Sequence, residues 1–346
     1  MWQVIGQSRV ISFLQRSLES GTLAHAYLLI GPPHIGKMTL AINIAQALNC
    51  ETVKYPCQEC DSCKKIAAMN HSDVQVIGLL NDENSTEAKL ISIDQIKEIQ
   101  HSASLPPFEG KEKVFIIDGA DLMSTEAANC LLKILEEPTD KVTFILLTAN
   151  DRLLPTTVVS RCQCLELPPL PVPEITEAII ERLNIEREQA KLFAELSRGC
   201  PGWAISAAEN EGLIQHRTEE LGMMIDLVNM DSEGLFKFVN QLVTRFSQNR
   251  NSVYNILDLW MNYWRDIMLV KLGCGDIITN IDRYEELNSM ARNYHGSQIK
   301  TFINSIRLAM EQLRQNANPR LVLEVLMLDI PRKERGSQES WVSNNK

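Results

Sequence analysis

The sequence predicts an α/β domain built on a parallel sheet, followed by a region that is helical almost throughout. Three observations lead to this fold class. In the first half of the chain, short apolar runs alternate with segments of helical periodicity, which is the pattern of a parallel sheet covered by helices. A proline-rich segment at 168–173 then interrupts the alternation. Beyond that segment, apolar residues recur only at helical spacing.

The elements of the first half follow from local patterns. A first helix is predicted because apolar residues recur at helical spacing up to Gly21, which is a suitable stop. Short β-rich runs predict five strands, and such sheets bind ligands beyond the carboxyl ends of their strands. The predicted strands are 26–30, 74–77, 114–117, 142–147 and 162–167, and the clearest predicted helices between them are 36–48, 93–102 and 125–137.

The second half is predicted to consist of helices. The four prolines at 168–173 predict a stiff linker, because proline is excluded from helix interiors. A small unit ending near residue 206 contains a helix break at 199–204. A larger helical unit follows from about 212 to 330, with long periodic stretches at 235–246, 253–272 and 298–315.

Composition and charge exclude several classes of protein. The chain has 346 residues, enough for two or three domains, and its 34 basic and 44 acidic residues give a net charge of −10. Binding to DNA phosphates needs clustered basic residues, so we expect this chain to act on DNA only inside a larger assembly. No apolar run is long enough to span a membrane, and the first residues do not resemble a secretion signal. We therefore predict a cytoplasmic protein without membrane contact.

Residues 31–38 match a phosphate-binding loop at the start of a helix. Their sequence, Gly-Pro-Pro-His-Ile-Gly-Lys-Met, fits the pattern G-x-x-x-x-G-K-[ST] except at its last position. Gly31 and Gly36 let backbone N–H groups surround a phosphate, and Lys37 reaches its outer oxygens. Met38 replaces the hydroxyl that binds Mg²⁺, and a thioether is a poor ligand for a hard cation. Phosphate binding is expected more than metal-assisted hydrolysis, and a Gly/Pro turn with an unrelated lysine is the alternative.

An acidic residue follows the predicted strand 114–117. Asp118 stands where P-loop ATPases place an aspartate that helps hold Mg²⁺, but Gly119 replaces the acid that would polarise the attacking water. Asp121 is too far along the chain to be a simple replacement. The alternative is that Asp118 caps a helix after the strand. In both cases no general base stands in the expected place, so weak or absent ATP hydrolysis is predicted.

Four of the nine cysteines lie close together, at Cys50, Cys57, Cys60 and Cys63. This spacing is typical of a metal site in a protein without a secretion signal. Four thiolates complete a tetrahedral shell around Zn²⁺ and leave no open position for water, so we predict a structural zinc site. Free buried thiols and a labile redox site are the alternatives. Most of the other five cysteines are expected to be small buried hydrophobic residues.

Arg161 lies in the triplet Ser160-Arg161-Cys162, after an apolar strand and a loop. A lone arginine is usually a surface cation. It can also be an arginine finger, which supplies positive charge to a γ-phosphate bound by a neighbouring subunit. Spacing alone does not choose between these two roles.

Taken together, the motifs resemble those of the clamp-loader AAA+ proteins of the bacterial DNA polymerase III holoenzyme. The run Leu-Leu-Lys-Ile-Leu-Glu-Glu-Pro at 131–138 and the Ser-Arg-Cys triplet are together highly specific to this family. The resemblance covers residues 1–210, and the remainder matches only in length and helicity. The matching segments stand in family order and are 4–7, 25–28, the four-cysteine module at 50–63, 127–138 and 160–162.

The resemblance implies an architecture and a set of partners. The partners are the delta and gamma/tau subunits of the clamp loader, and through the complex the sliding clamp and primed DNA. The complex places the clamp on DNA during replication. The implied domains are a RecA-like AAA+ domain at 1–167 with an inserted zinc module at 50–63, a small helical lid domain at 168–210, a helical collar domain for oligomerisation at 211–332 and a disordered tail at 333–346.

Three departures from the family pattern indicate a non-motor subunit. They are Met38, Gly119, and Gly202 where an ATP-sensing arginine is expected. The resemblance then implies that Arg161 acts in trans on the ATP of a neighbouring motor subunit. It also implies that ATP or ADP binds this chain only weakly, through Gly31, Gly36, Lys37 and Asp118. The alternative is an active motor subunit of the gamma/tau type.

Overall fold

The computed structural model describes residues 2–52, 55–78 and 90–332. The chain divides into two compact units, with the boundary between Ala208 and Glu209. Residues 168–208 belong to the same compact unit as the sheet, so the division of that unit into an AAA+ domain and a lid domain stays a prediction. The predicted tail at 333–346 lies outside the described residues.

The first unit is built on a five-stranded parallel sheet, as the sequence predicts. Its strands lie in the order β2-β3-β4-β1-β5, and each neighbouring pair is parallel. The three central strands are almost wholly buried and apolar, which is expected where helices cover both faces. The strands are β1 Ala26–Ile30, β2 Val74–Ile77, β3 Lys113–Asp118, β4 Val142–Thr148 and β5 Gln163–Glu166.

Helices of the first unit surround this sheet and extend beyond it. The short helix α3 and the helices after 168 were not individually predicted from the sequence, and α6 forms at 156–159, within the segment predicted as a loop before Ser160. The helices are α1 Ser8–Ser20, α2 Lys37–Asn49, α3 Asp61–Ala67, α4 Ile93–Ala103, α5 Thr125–Glu136, α6 Thr156–Val159, α7 Val172–Leu183, α8 Arg187–Leu196 and α9 Pro201–Glu209.

Two apolar clusters fill the two faces of the sheet. On one face, Leu14 of α1 and Leu40 of α2 pack against the strands. On the other, Ile96 of α4 and Leu131 of α5 are fully buried against strand residues. Local signals set the helix ends: α1 stops at a left-handed glycine, as predicted, and α4 begins with a reciprocal capping box. The sheet and its helices thus hold the loops at the carboxyl edge in fixed positions.

The predicted linker is shorter in the structure than in the sequence analysis. Helix α7 begins at Val172, and Pro173 lies in its first turn, where the missing N–H of proline leaves no bond unmade. The predicted break between α8 and α9 is present. Gly199 adopts φ +82° there, and a Cβ on it would lie 2.9 Å from the backbone nitrogen of Leu170. Only glycine fits this turn without displacing the chain at residue 170.

The second unit is entirely helical among its described residues. Its longest helix packs against four others and carries two fully buried tryptophans, Trp260 and Trp264. The three long periodic stretches predicted from the sequence are all helices. No described helix of either unit is both long and apolar enough to cross a membrane. The helices are α10 Glu211–Leu227, α11 Ser232–Gln248, α12 Arg250–Lys271, α13 Tyr284–Asn293, α14 Gly296–Arg314 and α15 Pro319–Leu328.

Candidate functional site: a modified phosphate loop, a four-cysteine cluster and Arg161

The phosphate loop connects the carboxyl end of β1 to the start of α2. Gly36 precedes the helix with φ +104°, a conformation that favours glycine. The ammonium of Lys37 donates to the carbonyl oxygens of Gly31 at 2.6 Å and of Pro32 at 2.9 Å. Burial lowers the pKa of Lys37, and the negative charge of Asp118 opposes this effect. The structure therefore brings together all four residues predicted to bind nucleotide.

Met38 does not contribute a ligand to this loop. Its side chain is partly buried and packs against the apolar cluster beneath α1 and α2. A thioether in this environment contributes to the core and is a poor partner for Mg²⁺. The residues present fit a bound phosphate group but lack the hydroxyl that would join Mg²⁺ to the helix.

The backbone at Gly119 explains why no acid stands there. Gly119 adopts φ +74°, and a Cβ on it would lie 3.1 Å from Cδ1 of Leu122. A glutamate at this position would be strained, because L side chains rarely adopt a positive φ. Gly119, and not Asp118, precedes the following 3₁₀ turn, so the alternative of Asp118 as a helix cap is wrong. The carboxylate of Asp121 accepts a hydrogen bond from the Thr148 hydroxyl at 2.7 Å.

Gly202 lies directly against the phosphate loop. Its N–H donates to the carbonyl oxygen of His34 at 2.9 Å. A Cβ on Gly202 would lie 2.7 Å from the same oxygen, closer than real Cβ atoms approach their neighbours. An arginine would therefore collide with the loop backbone. The expected place of the ATP-sensing arginine is instead closed by a contact between α9 and the phosphate loop.

The four predicted zinc ligands converge on one point. All four Sγ atoms lie within 4.8 Å of one another, and those of Cys57 and Cys63 are 3.8 Å apart. Four sulfurs at about 2.3 Å from Zn²⁺ in a tetrahedron are separated by about 3.8 Å, so the cluster has the required size. The N–H of Cys60 donates to Cys57 Sγ at 3.3 Å. Donation from Cys60 and Glu59 lowers the pKa of Cys57 to about 6. The donor set fits a structural Zn²⁺ ion.

The cluster joins the end of α2 to α3. Cys50 follows α2 directly, and Cys60 is the cap residue of α3, where its sulfur accepts from the N–H of Cys63. The buried amide of Gln46 in α2 donates to the carbonyl of Cys63 at 2.9 Å. The module therefore attaches to the helix of the phosphate loop, as expected from its position in the sequence.

The remaining five cysteines do not behave as expected. None of them is buried: Cys164 and Cys274 are exposed, and the other three are half-buried. The prediction of small buried hydrophobic residues is wrong, because the sequence around a lone cysteine carries little information about its depth.

Arg161 lies at the amino ends of the parallel strands, whereas the phosphate loop lies at their carboxyl ends. It stands just before β5, which runs parallel to β1, whereas the phosphate loop follows β1. The five residues of β1 separate the amino and carboxyl ends of the strands by about 13 Å. The guanidinium of Arg161 pairs with the carboxylate of Glu136 at 2.6 Å and donates to the carbonyl of Thr157 at 2.9 Å. Arg161 therefore does not serve the phosphate loop of its own chain.

Comparisons with known proteins agree with these motifs. Residues 6–171 match the family described as DNA polymerase III, delta subunit, and residues 237–332 match the family described as its C-terminal part. The delta' subunit of DNA polymerase III from Bacillus subtilis (strain 168) is 28% identical over 323 residues, which cover 93% of this chain and 95% of the relative. The chain belongs to the DNA polymerase III clamp-loader family.

Two further proteins are similar to this chain. The tau subunit of Bacillus subtilis is 26% identical over 353 residues, and the match covers 94% of this chain but 60% of tau. A solved structure of a gamma subunit-related protein from Thermotoga maritima covers 92% of this chain and 97% of its own, with 19% identity and a TM-score of 0.41. The family assignment depends on the sequence matches.

Sequence reasoning missed two contacts of this clamp-loader subunit. The Glu136–Arg161 pair joins two family motifs, but neither motif indicates which of two adjacent glutamates makes the contact. The contact between Gly202 and His34 joins residues that are far apart in the chain. The only signal for it was the glycine in place of an arginine.

Proposed function

We propose that this chain is a clamp-loader subunit of the delta' type, which helps place the sliding clamp on primed DNA and supplies Arg161 in trans. The observation that carries this proposal is the position of Arg161 at the amino ends of the strands, away from its own phosphate loop at their carboxyl ends. An arginine there is too far from its own phosphate loop to act on a nucleotide bound to the same chain, which favours a role toward another subunit over a role in its own site. Its planar fork stays charged and can meet two phosphate oxygens at once.

The chain's own nucleotide site is proposed to bind ATP or ADP weakly and not to hydrolyse ATP. This proposal is supported by the left-handed backbone of Gly36 before α2 and by the position of Lys37, whose ammonium lies at the loop and donates to the carbonyl oxygen of Gly31. Met38 is turned into the core, and Gly119 occupies a backbone conformation that disfavours the missing acid. Loss of both groups removes the metal ligand and the water-orienting carboxylate that phosphoryl transfer requires.

The second unit is proposed to be the collar that joins this subunit to its neighbours. Leu321, Val325 and Leu328 follow one another at helical spacing on α15, and each is about 60% exposed. The hydroxyl of Ser305 in the neighbouring α14 donates to the Asp329 carboxylate at 2.7 Å, and Leu308 of α14 is also exposed. An exposed apolar stripe of this kind is typical of a protein interface. The proposed partners are the delta and gamma/tau subunits, and the complex is proposed to act in the cytoplasm.

Substitution of Arg161 tests the proposal. A complex reconstituted with Arg161→Ala is expected to assemble normally but to show reduced ATP hydrolysis in the presence of clamp and primed DNA, and slower clamp loading. An arginine finger raises kcat roughly 10³–10⁵-fold at one ATP site. The ATPase rate of the whole complex should fall by less, because the other motor sites keep their own fingers. Arg161→Lys should restore little of the lost ATPase activity, since the point charge of lysine does not reproduce the planar, two-pronged donor geometry of the guanidinium. Wild-type loading rates with Arg161→Ala would exclude the trans role.

The motor alternative is tested on the same preparations. The isolated chain should turn over negligible ATP, and Lys37→Ala in this chain should leave the stimulated activity of the complex nearly unchanged. Robust Mg²⁺-dependent turnover by the isolated chain, lost on Lys37→Ala, would instead identify it as a motor of the gamma/tau type.

A further inference from the structure

The guanidinium of Arg161 is fixed at both ends by its own chain. One terminal nitrogen, Nη2, lies 2.6 Å from Oε1 of Glu136, the last residue of α5. The other, Nη1, donates to the carbonyl oxygen of Thr157 in α6 at 2.9 Å. The hydroxyl of Ser160 donates to the same carbonyl at 3.1 Å. Ser160 and Arg161 are thus both hydrogen-bonded to α6, and Glu136 of α5 supplies the negative charge opposite the guanidinium.

This arrangement leaves donors available for a phosphate. A guanidinium has five N–H donors in one plane, and Glu136 and Thr157 each accept from one nitrogen. Three donors remain, namely Nε–H and the second hydrogen of each terminal nitrogen. The Arg161 side chain is 34% exposed, so part of it is open to a neighbouring subunit.

The pair has little value as a stabilising ion pair. Both side chains are well solvated, with 34% of Arg161 and 50% of Glu136 exposed. Exposed pairs of this kind contribute little to folding stability. Their effect on the geometry of Arg161 is larger, because an unrestrained arginine loses much of its rotamer freedom when it is held against a ligand.

We propose that Glu136 is a positioning residue that orients the Arg161 fork for a phosphate on the neighbouring subunit. This inference rests on the proposed trans role of Arg161. Glu136 and Thr157 fix the plane of the guanidinium before assembly, so that less side-chain freedom is lost when the complex forms. Pre-orientation of this kind lowers the barrier to the chemical step, and a misplacement of about 1 Å can cost on the order of 10²-fold in rate.

The adjacent glutamate offers a matched control. Glu137 belongs to the same motif and is also exposed, but among the described residues no ion pair joins it to Arg161. Substituting either glutamate removes one negative charge from the same end of α5. A difference between the two variants therefore reports the contact with Arg161 and not the change in net charge.

The test uses complexes reconstituted with Glu136→Ala, Glu136→Gln, Glu137→Ala, Arg161→Ala and the double variant Glu136→Ala/Arg161→Ala. The kcat and KM of ATP hydrolysis are measured with clamp and primed DNA. We expect Glu136→Ala to reproduce at least half of the loss in kcat caused by Arg161→Ala, with KM unchanged, because the finger acts in the transition state. Glu136→Gln, which keeps an acceptor, should recover part of that loss, and Glu137→Ala should match the wild type.

The double variant shows whether Glu136 acts through Arg161. Its kcat should equal that of Arg161→Ala alone, because a positioning residue has no effect once its target is absent. A further decrease would place the action of Glu136 elsewhere and overturn the proposal. Wild-type or raised kcat with Glu136→Ala, together with a loss with Arg161→Ala, would also overturn it while leaving the finger in place.

Two controls distinguish failure of the positioning role of Glu136 from failure of the trans role of Arg161 and from misfolding of the variants. A wild-type kcat with Arg161→Ala would refute the trans role itself, and the positioning role with it. Thermal unfolding of each variant is expected to match the wild type, since the exposed pair contributes little to stability. If Glu136→Ala does not assemble, the isosteric Glu136→Gln carries the comparison, and kcat equal to that of Glu137→Ala would then refute the proposal.

Discussion

Gly202→Ala tests whether the contact between α9 and the phosphate loop is as close as the structure shows. The added Cβ would lie 2.7 Å from the His34 carbonyl oxygen and 3.4 Å from two further backbone atoms of His34. Neither neighbour is the flexible end of a side chain, so α9 or the loop must move. The displacement also weakens the 2.9 Å hydrogen bond from Gly202 N–H to that oxygen.

The magnitude follows from these contacts. Loss of one backbone hydrogen bond costs about 1 kcal/mol, and a tight steric contact about 1–3 kcal/mol more. Alanine recovers about 0.5–1 kcal/mol relative to glycine in a helix. We therefore expect Gly202→Ala to lower the free energy of unfolding of the first unit by about 1–3 kcal/mol.

Gly222→Ala is the matched control. Gly222 is also a helical glycine, in α10, but nothing lies within 4 Å of the position of its Cβ. This substitution should stabilise the second unit by about 0.5–1 kcal/mol, so the two changes have opposite signs. Urea unfolding followed by hydrogen exchange and mass spectrometry reports the two units separately. Equal or greater stability of Gly202→Ala would show that the loop and α9 are not in contact.

Three further predictions concern the zinc site, pH and the collar. Purified, reduced protein should carry close to one Zn²⁺ per chain, and Cys60→Ser should lose the metal and destabilise the first unit; metal analysis without zinc would contradict this. Burial tends to raise the pKa of Asp73, but the backbone N–H groups of Phe108, Gly110 and Glu109 outweigh it and lower that pKa. Asp73→Asn should therefore cost about 1–3 kcal/mol at neutral pH. The difference should begin to fade below about pH 4, where the aspartate of the unfolded chain becomes protonated, and should disappear only as the pH falls through the lower pKa of the folded carboxylate. A pH-independent difference in urea titrations would refute this. Val325→Glu on α15 should leave the unfolding transition unchanged but weaken assembly with the other subunits in size-exclusion chromatography, whereas the exposed Arg320→Glu should weaken it less.

The sequence by itself determined the five strands, the longer helices and the residue types of the motifs. The five strands were predictable because buried parallel strands are short apolar runs, as in β4, where all seven residues are buried. The four-cysteine cluster was predictable because its members lie within one short segment, so their spacing limits the geometry. Helix ends followed from local residues such as Gly21, whose left-handed backbone ends α1.

Only the tertiary structure decided how the motifs relate to one another. In the sequence, Gly202 is an isolated departure from the family pattern. Its contact with His34 in the structure shows that an arginine would not fit there. Gly119 likewise reads as a lost acid, whereas its positive φ shows a backbone that disfavours any side chain. The pairing of Arg161 with Glu136, 25 residues away in sequence, required the packing of α5 and α6. Local patterns record periodicity and chemistry, whereas contacts between distant residues arise only when packed elements fix their separation.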